Sequence, residues 1–184
     1  YDGSPKPVSV TTSPLVSAVN VTYDGSPVVP TAPGTYAVNA VVDDPNYAGS
    51  ATASLIISPR SFTAWESANF TPPQISAGLS SMDADPDHDG LTNLAEYALG
   101  AEPLAFTPQP AVTLGTNSVF ITFQRPAHIS DVTYFAEASA GMETWEQLTL
   151  EVLNPGSDPE TVRATKTLSQ PNPQAHFLRL RFVK

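Results

Sequence analysis

Cysteine is absent from the 184 residues, which excludes a disulfide framework, a thiolate metal site and a thiol nucleophile. Secretion is not excluded, because burial and bound cations stabilise extracellular domains in place of disulfides. Basic residues are scarce: eight Lys and Arg stand against eighteen Asp and Glu, a formal net charge of −10. Residues 1–104 hold only Lys6 and Arg60 among eleven acids, whereas residues 105–184 hold six basic residues and seven acids. Phosphate binding needs a basic face, so nucleic acid is not an expected partner. No apolar run approaches the roughly 18 residues of a transmembrane segment. Tyr1 to Pro5 lack the basic start and apolar stretch of a signal peptide, so any export signal is expected to have been removed or to lie upstream.

What is abundant is turn chemistry, with 19 Pro and 10 Gly. That composition argues against long helices and favours a mainly β chain, read as two small antiparallel β-sandwiches joined by a short helical segment. In residues 15–23, Leu15, Val19, Val21 and Tyr23 alternate with Val16, Ala18, Asn20 and Thr22, as in a half-buried strand. Residues 34–43 place Tyr36, Val38, Ala40 and Val42 on one face, and Ala51, Ala53, Leu55 and Ile57 form a third such run. Asp24-Gly25-Ser26-Pro27, Ala32-Pro33-Gly34 and Asp43-Asp44-Pro45-Asn46 supply the turns between them. Short strands at this spacing predict an Ig-like sandwich over residues 1–58.

The pentapeptide Tyr-Asp-Gly-Ser-Pro occurs at Tyr1–Pro5 and again at Tyr23–Pro27, with an echo in Tyr47-Ala48-Gly49-Ser50. The spacing is too short for two domains, so a strand-and-turn unit repeats inside one. These segments, with Ala32-Pro33-Gly34-Thr35-Tyr36 and Ala53-Ser54-Leu55-Ile56-Ile57, resemble the YDG/MBG-type immunoglobulin-like modules of large bacterial surface proteins. The resemblance implies an extracellular or cell-surface location and a spacer or adhesive role, usually in tandem. Modules of that family begin with a strand before the first Tyr-Asp-Gly, whereas this chain opens at the turn. The open edge is therefore expected to be filled by upstream residues, or in trans by a neighbouring copy, which would build a fibre.

Ser58-Pro59 ends the module, and residues 59–104 read as a helical linker. Ser61 is placed to cap a helix through about Asn69, with Phe62 and Trp65 on one face as core contacts or, less simply, as a ligand platform. Thr71-Pro72-Pro73-Gln74 has the cap, proline and glutamine order of a second start. Asp85-Pro86-Asp87-His88-Asp89-Gly90-Leu91-Thr92-Asn93-Leu94-Ala95-Glu96 then puts acids at loop positions 1, 3, 5 and 12 and glycine at 6. Calcium takes about six to eight oxygens, and this spacing lets alternate carboxylates converge while the glycine turns the chain. The predicted Ca²⁺ ligands are Asp85, Asp87, Asp89, the Leu91 carbonyl, Asn93 directly or through water, and both oxygens of Glu96. A solvated acidic turn is the simpler alternative. Ser76 to Asp83 makes a poor entering helix, whereas Asn93 to Leu99 makes a good exiting one ended by Gly100. Asp85 to Pro103 resembles the bacterial thrombospondin type 3-like repeat. Dockerins share the loop but use two copies, so the lone site here implies a structural staple and not a sensor.

From 105 to 184 the chain again reads as strands: Val119–Phe123, Val132–Ala138, Leu148–Val152, Thr161–Lys166 and Phe177–Val183. In the last, Leu178, Leu180 and Phe182 alternate with Arg179 and Arg181, predicting a second β-sandwich. Trp145 suits either a hydrophobic plug or a surface for stacking a sugar. This layout resembles the carboxy-terminal regions of large secreted proteins of Verrucomicrobia-like bacteria, which again implies secretion.

Catalytic signatures are missing: there is no G-x-S-x-G elbow, no H-E-x-x-H helix and no phosphate-binding glycine loop. His88 occupies a non-ligand loop position, and His128 and His176 sit in ordinary turn or strand-edge contexts. The sequence thus reads as a non-enzymatic structural or adhesive module of a secreted bacterial surface protein. A carbohydrate-binding appendage with a glycan partner, or a carboxy-terminal sorting or anchoring region, are the alternatives.

Overall fold

The computed structural model describes residues 1–15, 18–168 and 176–184. The chain is mainly β with antiparallel sheets, and it divides into two compact units, Tyr1–Arg60 and Ser61–Lys184.

In the first unit β1 (Val19–Tyr23), β2 (Gly34–Val42) and β3 (Ser50–Ile57) form a meander in the order β1-β2-β3. Tyr23 pairs with Val38, and Val38 in turn with Ala53, so the alternating apolar sets fall on one face. Tyr23, Val38, Ala40 and Ile57 are its buried centre. The repeated pentapeptide is turn chemistry in both copies. At the second, Asp24 (φ 49) and Gly25 (φ 83) both take the positive φ of a two-residue hairpin turn, closed by Tyr23 and Ser26 bonding each other's backbone. Asp24 also accepts from the Ala37 amide at 2.8 Å, which ties the turn to β2. At the first copy Asp2 accepts from the Ser4 amide at 2.9 Å while Gly3 has φ 80.

Where a sandwich is expected over residues 1–58, the described residues of this unit contain one three-stranded sheet. Residues 1–12 form no strand: Pro5 and Pro7 have no amide to donate, and the segment is held by Lys6 N to Pro30 O (3.0 Å) and Val8 N to Tyr23 Oη (2.9 Å). Leu15, expected on the core face, is 89% exposed because the ladder starts only at Val19. Val16, expected on the opposite face, lies outside the described residues.

The second unit opens with α1 (Phe62–Asn69), whose cap Ser61 accepts from the Ala64 amide. Next comes α2 (Pro72–Ser76), where Gln74 reaches back to accept from the Thr71 amide at 2.8 Å. Phe62 and Trp65 stand 5.3 Å apart and both pack on Tyr97, at 5.5 and 5.7 Å, so this aromatic stripe is a core contact. α3 (Asn93–Leu99) is capped by Thr92 and ends at Gly100, whose φ of 73 is the left-handed stop that glycine accommodates.

Among the described residues seven strands follow: β4 (Val112–Leu114), β5 (Ser118–Arg125), β6 (Thr133–Ser139), β7 (Glu146–Leu148), β8 (Leu150–Val152), β9 (Glu160–Thr167) and β10 (Phe177–Val183). They make two antiparallel sheets, β10-β6-β7 and β4-β5-β9-β8. Ile121 and Ala164 from one sheet meet Ala136, Ala138 and Leu148 from the other in a shared cluster, against which Leu150, Leu178 and Leu180 pack. The predicted single strand Leu148–Val152 is two strands in different sheets, the chain crossing over at Thr149 so that Leu148 and Leu150 approach the same cluster from opposite sides. The helical segment belongs to this unit. Tyr134 donates to the Ala98 carbonyl at 2.8 Å, and Asp131 accepts from the Phe62 amide at 3.0 Å and from Tyr97 at 2.7 Å.

Candidate metal centre

The acidic loop is folded by its own carboxylates. Asp85 accepts from the Gly90 amide at 3.0 Å, Asp87 from Asp89 at 3.3 Å, and Asp89 from Leu91 at 2.7 Å. These short-range bonds turn alternate side chains inward, and Asp85, Asp87 and Asp89 each bring one oxygen within 4.8 Å of the others. Gly90 sits at φ 89, a backbone conformation that favours glycine, and a Cβ there would stand 2.6 Å from Nε2 at the end of the flexible Gln109 side chain, which would have to shift.

Glu96 enters from the first turn of α3 and is wholly buried. Neither of its carboxylate oxygens has a hydrogen-bond partner. Burial, and then the carboxylates of Asp87, Asp89, Asp85 and Glu102, push its pKa up to about 8. Asn93 is equally buried, and its amide orientation is set by its donors: Nδ2 bonds the carbonyls of Leu79 at 2.8 Å and Ser81 at 2.7 Å. Its Oδ1 is thereby left without a donor. Asp85 Oδ1 and Asp87 Oδ2 are buried and without donors too.

Five of the seven such atoms found among the described residues belong to these four side chains. A buried polar atom without a partner is costly. Asp85 and Asp87 leave two such acceptors in the carboxylate cluster, and Asn93 and Glu96 leave three more on α3, although Glu96 is not among the side chains whose oxygens come within 4.8 Å of one another. The donor set is all oxygen, which suits a hard cation and not a thiophilic one. Leu91 is 8% exposed at the loop position from which the sequence expects a carbonyl ligand.

Two residues beyond the loop also shape it. The Thr107 amide donates to Asp89 Oδ2 at 2.7 Å, and Gln109 Nε2 to the Gly90 carbonyl at 3.2 Å. Neither falls within the 12-residue spacing, so no pattern in the sequence signals them. In place of an entering helix, backbone bonds from Asn93 N to Ala84 O and from Leu94 N to Met82 O lash the preceding turn to α3. His88 has φ 62 in the loop and His128 has φ 61 in a turn. Trp145 lies beneath the Arg179 guanidinium, 3.9 Å from the ring centre.

Residues 1–61 match the family model of the MBG domain. The similarity covers about a third of the chain and supports the YDG/MBG-type module expected there. That domain is found in extracellular surface proteins. No curated protein and no solved structure matches the chain. No helix among the described residues is long and apolar enough to cross a membrane.

Proposed function

We propose that the chain is a structural or adhesive part of an extracellular surface protein, whose second unit is stapled by one calcium ion. Asp85, Asp87, Asp89 and Glu96 would hold the ion, with the Leu91 carbonyl and Asn93. The observation that carries the calcium reading is the set of five buried oxygens without donors on Asp85, Asp87, Asn93 and Glu96. The ion supplies a compact double positive charge, which offsets the mutual repulsion of carboxylates gathered in a poorly hydrated site.

The residues do the rest. Asp85, Asp87 and Asp89 fold the loop through their backbone bonds, and Glu96 brings charge from the helix. Asn93 fixes the turn around Leu79 and Ser81 behind the site. Because α3 also carries Tyr97 and Ala98, which bond Asp131 and Tyr134, order at the loop is passed to the β-sheets. The two sheets of this unit, sharing one cluster, support its reading as a sandwich.

The adhesive and surface assignment rests on the MBG similarity of residues 1–61. The reading includes no catalytic role, since the sequence carries no nucleophile or base constellation of a known hydrolase pattern. Isothermal titration of the chelator-treated protein tests the staple: a single calcium site is expected, lost in Glu96→Gln. No heat at millimolar calcium would refute it. A screen for glycosidase, protease and esterase turnover tests the rest, and activity abolished by one substitution would overturn the non-catalytic reading.

A further inference from the structure

Strand β10 sends Leu178 and Leu180 to the core cluster, so Phe177, Arg179, Arg181 and Val183 stand on the opposite face of its sheet. Pairing with β6 sets Arg179 opposite Glu137 and Arg181 opposite Phe135. Arg179 Nε donates to Glu137 Oε2 at 2.7 Å, and Arg181 Nη2 to Glu137 Oε1 at 3.3 Å. Each guanidinium also stacks on a ring: Arg179 on Trp145, with 3.9 Å to its centre, and Arg181 on Phe135, with 4.2 Å. The result is a row, Trp145, Arg179, Glu137, Arg181, Phe135, laid across an outer sheet face.

Charge and donors do not balance within that row. One carboxylate faces two guanidiniums, in a chain whose net charge is −10. The Glu137 side chain is only 12% exposed, while both arginine side chains are 45% exposed. Each arginine spends a single N–H on Glu137, so most of each donor fork has no partner among the described residues. The forks are nevertheless held in place by the glutamate and the rings, so little side-chain freedom remains to be lost when a ligand arrives. β10 is already joined to β6 by its backbone ladder from Phe177 to Val183, so the strand pairing does not depend on the remaining guanidinium N–H groups.

We propose that this face binds an anionic polysaccharide. Its carboxylate or sulfate groups would meet the open edges of Arg179 and Arg181, where planar forks bond such oxyanions in pairs. The apolar faces of its sugar rings would lie on Phe177, which is 39% exposed on the same face of β10. A neutral glycan would leave the guanidinium donors unmatched. The proposal goes beyond the staple and does not depend on the calcium loop, which contributes no residue to the row.

The test is affinity electrophoresis and titration of the whole chain in 50 mM NaCl (roughly, to limit screening) with hyaluronan, chondroitin sulfate and dextran. Saturable binding of a polyanion but not dextran is expected, weakening as salt rises. Binding of hyaluronan identifies carboxylate as sufficient, and binding of chondroitin sulfate alone identifies sulfate. The double variant Arg179→Gln, Arg181→Gln should bind about tenfold or more weakly, in line with loss of charge-assisted bonds. Should it fail to fold, the single variants Arg179→Lys and Arg181→Lys keep the charge and lose the fork, and are expected to weaken binding severalfold. Absence of binding to both polyanions, equal binding of dextran, unchanged affinity in folded variants, or retention only by an acidic polypeptide such as polyglutamate would each overturn the proposal.

Discussion

The backbone amide of Thr107 donates to Asp89 Oδ2 at 2.7 Å, closing the acidic loop with a residue eighteen positions further along the chain. The other oxygen of Asp89 accepts from Leu91, so this carboxylate ties the residue just after the glycine turn to a segment beyond α3. Asp85 Oδ1 and Asp87 Oδ2, by contrast, have no donors. The loop is therefore shaped by some of its carboxylate oxygens and left electrostatically incomplete by others.

Calcium should raise the melting temperature of the second unit. For a site at the weak extracellular end, roughly 10⁻⁴ to 10⁻³ M, an ion concentration a hundredfold above Kd stabilises the fold by about 2.7 kcal/mol. Calorimetric scans in calcium and in chelator check this, and coincident transitions would contradict it.

Glu96 predicts a pH dependence in the ion-free protein. Its folded pKa of about 8 lies above the ordinary carboxylate value of 4.5, so between these limits the folded state retains a proton that the unfolded state has released. Stability in chelator should then fall as pH rises from about 4.5 to 8 and level off above that range. Glu96→Gln should flatten this slope while abolishing the calcium response. Melting curves across that range measure both, and an unchanged slope in the variant would place the proton elsewhere.

Gly90→Ala should destabilise the loop by about 1–2 kcal/mol from the left-handed backbone alone, with a further cost from the contact with Gln109. In a Gln109→Ala background the contact is gone and only the backbone cost should persist. A double-mutant cycle by urea denaturation separates the two, and strictly additive effects would mean that Gln109 simply moves aside.

Asp131 joins α1, α3 and the end of the chain, accepting from the Phe62 amide and Tyr97 while Lys184 Nζ lies at 3.6 Å. Asp131→Ala leaves the Phe62 amide without that acceptor and should cost about 1–3 kcal/mol. Tyr97→Phe removes one bond of the same group and should cost less. Equal denaturation midpoints for wild type and Asp131→Ala would show that this junction contributes nothing measurable.

Local signals were legible without coordinates. Ser61 and Gly100 mark helix ends because capping is chemistry within one turn; β5, β6 and β9 follow from strand-forming runs bounded by turn residues, and β10 from period-two alternation. Asp85, Asp87 and Asp89 converge as their spacing anticipates, since the backbone bonds that gather them span five residues or fewer. β4 escaped notice because three exposed residues after a proline-rich approach carry no alternation to read. The split at Thr149 escaped it because the alternating run Leu148-Thr149-Leu150-Glu151-Val152 looks the same whether its residues join one sheet or two.

The amino-acid order by itself determined where the chain turns, which residues alternate, and which carboxylates stand at a spacing able to enclose a cation. Tertiary structure alone decided that Thr107 and Gln109 close the acidic loop, that Asn93 has its oxygen left over, and that Glu137 gathers two arginines from another strand. The division has a physical origin. Capping, turns and loop ligation are settled over a few residues of chain, whereas burial and long-range pairing depend on which distant segments the hydrophobic cluster draws together.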